Sequence, residues 1–140
     1  LEISKTMKNV AESTFKKGTF YLYDGENIPF EDSSIDKIFT VNALYFWKKP
    51  TKFLLEISRV LKKEGICIVT FAQKEFMKTL PFVNDKFKLY DIQEFQFLIE
   101  INEMKTHRIL KKEEVVKNKI GDEVLRRYNI FILKKRIVSL

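Results

Sequence analysis

Glu2, Asp24 and Asn42 each stand at the end of an apolar run in the first part of this chain. A carboxylate in such a place offers two acceptor oxygens. Glu2 can take hydrogen bonds from vicinal hydroxyls such as a ribose diol, or it can be an ordinary surface glutamate. Asp24 can accept from an exocyclic amine, and Gly25 lets backbone approach a flat ligand closely; an Asp-Gly pair is equally a common turn. Ile28-Pro29-Phe30 then forms either the apolar wall of a pocket or a loop tucked into the core. Asn42, Tyr45 and Trp47 follow the third run. They can line a substrate pocket with apolar area and polar edges, or pack a strand–helix corner.

Other reactive residue types form no set. His107 is the one histidine; it alternates with apolar neighbours and reads as structural. Cys67, the one cysteine, sits in Ile66-Cys67-Ile68-Val69 and reads as a buried, inert thiol. No Ser-His-Asp or Cys-His group, metal-ligand spacing or glycine-rich phosphate loop is present. No catalytic residue and no metal are assigned.

The elements that must position these residues follow from periodicity. Leu1-Glu2-Ile3 reads as a strand end, and Ser4 as the N-cap of a helix over 5–17, closed by Gly18. Thr19 to Tyr23 reads as a strand, 24–34 as a loop and Asp36 to Val41 as a strand. Pro50 opens a helix that runs to about Lys63 and is closed by Gly65. Ile66 to Ala72 is a near-continuous apolar strand, as expected of one covered on both faces. A helix capped by Asp91 runs to about Ile101. Met104 to Leu110 and Tyr128 to Leu133 are the last strands, antiparallel neighbours, with Lys111-Lys112-Glu113-Glu114 between them. Alternating strands and helices predict an α/β, Rossmann-like doubly wound sheet in a single domain, 1–140, with ligands at the carboxyl ends of the strands.

With 140 residues and 45% hydrophobic content the chain can bury a core. Its net charge of +7 is spread over scattered lysine pairs, which favours solvated rims over a nucleic-acid stripe. No apolar run approaches the ~20 residues of a membrane span, and no signal peptide is visible, so cytoplasmic residence is expected.

In order and spacing, these segments resemble class I S-adenosylmethionine-dependent methyltransferases, especially the small-molecule, quinone C-methyltransferase-like branch. Glu2-Ile3-Ser4-Lys5-Thr6-Met7 resembles the end of the family's second strand. Asp24-Gly25 with Ile28-Pro29-Phe30 resembles its adenine loop, Ile35 to Val41 its fourth strand, Arg59 to Gly65 its helix-to-fifth-strand segment, and Tyr128 to Lys135 its last strand. The resemblance implies a mostly parallel sheet with an antiparallel last strand. It implies S-adenosylmethionine as cofactor, with Glu2 on the ribose, Asp24 and Gly25 on the adenine, and Ile3, Met7, Ile28 and Val41 around it. Asn42, Tyr45 and Trp47 would face a small-molecule acceptor. The family's first strand and glycine-rich loop have no counterpart here. The chain therefore reads as a fragment, inactive or unstable alone, or completed by a second chain. The alternative is a methyltransferase-derived interaction domain without catalysis.

Overall fold

The computed structural model describes residues 1–136. Its centre is a four-stranded sheet in the order β1-β2-β4-β3, built from β1 (Ile35–Val41), β2 (Leu61–Ala72), β3 (Met104–Lys117) and β4 (Glu123–Lys135). β1 and β2 are parallel, and β4 runs antiparallel to both β2 and β3. Three strands thus share one direction and the last strand opposes them, as expected. One face of the sheet is packed by α2 (Pro50–Val60) and α4 (Ile92–Glu100), with the short α3 (Lys74–Met77) between them in the chain. Phe71, Phe95 and Phe131 meet there, with ring centroids 4.9–5.6 Å apart.

The helix α1 (Lys5–Thr14) starts where the sequence placed it, with Ser4 Oγ accepting from the Met7 amide. It stops three residues before Lys17 and buries none of its side chains. The expected strand from Thr19 to Tyr23 is reduced to one parallel bridge, Glu2 with Leu22. Ser4 already caps α1, so no extended residues remain to lengthen that ladder.

α2 begins with Pro50 in its first turn and points Phe53, Leu54, Ile57 and Val60 inward. It ends at Val60, not near Lys63. The amides of Ser33 and Ser34 donate to the carbonyls of Arg59 and Val60, satisfying the helix end, and Leu61 pairs at once with Ile35. Gly65 therefore caps no helix. It lies within β2, where an added Cβ would stand 2.9 Å from the Lys62 carbonyl oxygen and 2.6 Å from Leu61 Cγ.

The last two strands are longer than their apolar cores. Lys111 to Glu114 do not form the connection; they lie inside β3, where Glu113 and Glu114 face Arg127 and Arg126 of β4 as cross-strand ion pairs. The turn comes later. Asn118 Oδ1 accepts from the amides of Ile120 and Asp122, and Gly121 takes φ +90°. No helix among the described residues is long and apolar enough to cross a membrane.

Candidate functional site

The bridge between Glu2 and Leu22 brings two chain segments side by side. The Glu2 amide donates to the Tyr21 carbonyl and the Tyr23 amide to the Glu2 carbonyl, at 2.9 and 3.0 Å. Both segments end here, one entering α1 and the other entering the loop at Asp24. Glu2 Oε1 accepts from the amides of Ile3 and Ser4 at 2.8 and 2.9 Å. Its Oε2 has no partner among the described residues, which leaves it able to accept from a ligand hydroxyl.

Asp24 is held more tightly. Oδ1 accepts from the amides of Glu26 and Asn27, and Oδ2 from the Asn27 side-chain amide at 2.7 Å. These donors, Asn27 first, pull its carboxyl down to about 2. Gly25 follows with φ +82°, a left-handed conformation that suits glycine, and the Ile3 side chain lies 3.4 Å from where a Cβ would stand. The Tyr23 phenol reports on both acids. Burial raises its pKa first, and the charges of Glu2 and Asp24 raise it further. Both carboxylates act on one phenol.

A Glu56–Arg59 pair on α2 fixes the loop that follows. Arg59 Nη1 donates to the Phe30 carbonyl, and Nη2 to the Ile28 carbonyl, each at 2.8 Å. Glu56 Oε2 accepts from the Ile28 amide, and Arg59 bonds both Glu56 oxygens. The pairing holds Glu56 below the ordinary carboxylate range. Sequence reasoning placed Arg59 in a helix end and overlooked this clamp. The available signal was the Glu-x-x-Arg spacing, but its target is 31 residues away in sequence.

Ile28 is buried and lines a largely apolar cavity of about 460 Å³ along the outer edge of β1. Tyr23, Ile38, Trp47, Phe53 and Ile57 share that lining. Met7 sits in the first turn of α1, more than half exposed. Val41 lies elsewhere. With Asn42, Thr70, Ala72 and Tyr128 it lines a smaller depression of about 210 Å³ at the carboxyl ends of β1 and β2. Asn42 adopts φ +54° there, a conformation asparagine tolerates.

Tyr45 is buried. Its hydroxyl donates to Asn42 Oδ1 at 3.1 Å and accepts from the Ala72 amide, so it ties the turn after β1 to the end of β2. Trp47 is also buried, against Phe53. Of the three proposed substrate residues, only Asn42 is exposed. Cys67 is fully buried, and burial pushes its thiol up to about 12, so it remains a thiol rather than a thiolate at neutral pH. Among the described residues, no three His, Cys, Asp or Glu side chains gather as metal ligands.

Known proteins are similar to this arrangement in sequence and in fold. Residues 1–69 match the family described as a methyltransferase domain. Over 69 residues the chain is 33% identical to a demethylmenaquinone methyltransferase of Thermotoga maritima, covering 49% of this chain and 30% of that protein. It is 31% identical over 107 residues to an uncharacterized protein of Methanocaldococcus jannaschii, covering 74% and 51%. The chain thus spans about half or less of these curated relatives. A SAM-dependent methyltransferase from Methanosarcina mazei superposes with TM-score 0.75 at 14% identity, over 98% of this chain and 81% of that one.

Proposed function

From a chain whose residues 1–69 match the methyltransferase domain family, and whose fold is that of S-adenosylmethionine-dependent methyltransferases, we propose that Glu2 and Asp24 hold the adenosine half of S-adenosylmethionine. That cofactor is the one indicated by the family and the fold. The observation that carries the reading is the Glu2–Leu22 bridge, which sets two carboxylates near Tyr23 and leaves one Glu2 oxygen without a partner among the described residues.

In this reading Glu2 Oε2 accepts from the ribose hydroxyls. Asp24, kept ionised by its three local donors, accepts from the adenine amine through its remaining lone pairs, and Gly25 admits the ring edge. Ile3, Ile28 and Met7 supply apolar area, and Arg59 with Glu56 keeps Ile28 in place. When bound, the cofactor supplies an activated methyl group. The protein's part is alignment and exclusion of water, so the lack of a nucleophile–base set is compatible with the reaction. Val41 and Asn42 lie on the acceptor side. There the Tyr45 hydroxyl orients Asn42. The acceptor is proposed to be a small molecule.

The cavity along the outer edge of β1 supports a further element in this site. Among the described residues β1 pairs with β2 alone, and Leu1 and Tyr23 stand on the far side of the gap. An additional extended segment, from a second chain or from elsewhere in the same protein, would complete the sheet there.

Isothermal calorimetry with S-adenosylhomocysteine tests the adenosine reading. Binding that weakens at least tenfold in both Glu2→Ala and Asp24→Ala supports it, since a lost charged hydrogen bond costs about 1.5–3 kcal/mol. Unchanged affinity in both variants contradicts it. The second reading, a non-catalytic interaction domain, predicts a stable fold with no cofactor heat; exposed Phe39 and Val41 on β1 are what favour it.

A further inference from the structure

The β3–β4 hairpin carries two glutamate–arginine pairs in adjacent rows, Glu113 with Arg127 and Glu114 with Arg126. Side chains alternate along a strand, so the two pairs stand on opposite faces. Glu113 and Arg127 are each more than half exposed, as an ordinary surface pair would be. Glu114 and Arg126 instead line the depression of about 210 Å³ at the carboxyl ends of β1 and β2. The antiparallel direction of β4 brings them there, because its early residue Tyr128 pairs with Ala72, the last of β2.

Arg126 is anchored and still has donors to offer. Its Nη2 donates to Glu114 Oε1, while its Nε and Nη1 have no acceptor among the described residues. The guanidinium also reaches the acceptor corner electrostatically. Burial raises the pKa of the Tyr45 phenol, and the Ala72 amide and then the charge of Arg126 oppose that rise. The same phenol orients Asn42. Asn42 Oδ1 is the atom that accepts from Tyr45, which leaves the Asn42 amide nitrogen, a donor, for anything bound in the depression. Lys112 stands opposite Tyr128 in the neighbouring row, so Arg126 and Lys112 outnumber Glu114, the one carboxylate of these two rows.

We propose that Arg126 is a specificity-determining residue that receives a carboxylate of the methyl acceptor. This rests on the reading that Val41 and Asn42 lie on the acceptor side, and it adds a chemical class to that acceptor. A guanidinium already held by one carboxylate keeps a fixed orientation, and its remaining N–H groups suit a planar oxyanion. An acceptor with an ammonium group in this place would meet like charge from Arg126 and Lys112. A neutral acceptor would leave the donors of Arg126 and Asn42 without an answering charge.

The test is an NMR titration of the 140-residue chain with two probes that differ in one group, para-hydroxybenzoate and para-hydroxybenzamide. The signals followed are the amides of Asn42 and Thr70 and the Arg126 side-chain Nε. Binding at least tenfold tighter for the benzoate is expected. Arg126→Gln is expected to reduce that preference to less than twofold. Arg127→Gln, which removes the neighbouring cross-strand pair, is expected to leave it intact; a general loosening of the hairpin would affect both variants. Several results would overturn the proposal: no saturable shift with the benzoate, equal affinity for the two probes, a preference that survives Arg126→Gln or is lost equally in Arg127→Gln, or inorganic phosphate binding as tightly as the benzoate. The titration contains no cofactor and follows neither Ile3 nor Gly25, so its failure is distinguishable from failure of the adenosine reading.

Discussion

Adjacent residues of the same strands meet opposite surroundings in this molecule. In β4, Phe131 is completely buried beneath α4, while its neighbours Ile130 and Ile132 look out from the other side of the sheet. In β1, Ile38 packs toward the core cluster and Phe39 stands 78% exposed. The alternation of side chains along a strand is the same on both faces. What differs is the second layer, present as α2 and α4 on one face and absent among the described residues on the other. Apolar residues on both faces of the sheet, with a helical layer on one of them, are the pattern of strands suited to cover on both sides. Near the candidate site, the loop after Asp24 is fixed by Glu56 and Arg59 of α2, and Phe53 and Ile57 of the same helix line the cavity along the outer edge of β1.

Substitutions on the two faces separate them most sharply. Phe131→Ala removes a ring that stacks on Phe71 and meets Phe95 edge-on, and is expected to cost about 3–5 kcal/mol in urea unfolding; a loss below 1 kcal/mol would deny that this face is the core. Arg59→Ala comes next. It strips hydrogen bonds from the Ile28 and Phe30 carbonyls and leaves Glu56 without its partner, for an expected loss of ~1–3 kcal/mol, at the lower end because the pair is partly exposed. Hydrogen exchange should speed up at Ile28 and Phe30 in that variant and not in β4.

The effect of pH is smaller and confined to one turn. The Asp24 carboxyl is depressed in the folded chain, from 3.8 to about 2. A depressed acid contributes fully above its unfolded value and loses that contribution as pH falls through its folded value. The turn at Asp24 should therefore be unchanged from neutral pH down to about 4, then loosen as the carboxylate titrates toward about 2. An NMR titration that places the Asp24 carboxyl near 4 would contradict the hydrogen-bonded turn. Phe39→Ser closes the series, with an expected change within about 0.5 kcal/mol. A large loss there would mean that the open face is covered within the chain itself.

Much of this was legible before any coordinates. Ser4 and Asp91 declare their helices because a short polar side chain satisfies an otherwise orphaned amide. The apolar run through Val69 and Phe71 declares a strand. Misplacements came where long-range pairing overrode local pattern. Gly65 looked like a helix stop, but Ile35 drew Leu61 into the sheet first. Lys111 to Glu114 looked like a polar connection, but each glutamate faces an arginine across the hairpin. For the candidate site, Glu2, Asp24 and Gly25 stood out by type and place in the chain, whereas Ile3 entered only with the family resemblance. The Arg59 clamp was not, since no local signal says which distant carbonyls a guanidinium will reach. Nor was the burial of Tyr45 and Trp47, because aromatic residues after a strand suit a pocket wall and a core corner equally well.

The central proposal is that Glu2 and Asp24 grip one adenosine. The most direct measurement is an amide NMR titration of the chain with S-adenosylhomocysteine. Saturable shifts at Ile3, Gly25, Asn27 and Ile28, with Ile68 and Ile132 on the open face unmoved, are the predicted result. Shifts absent from Ile3 and Gly25, or spread over the open face instead, would contradict it.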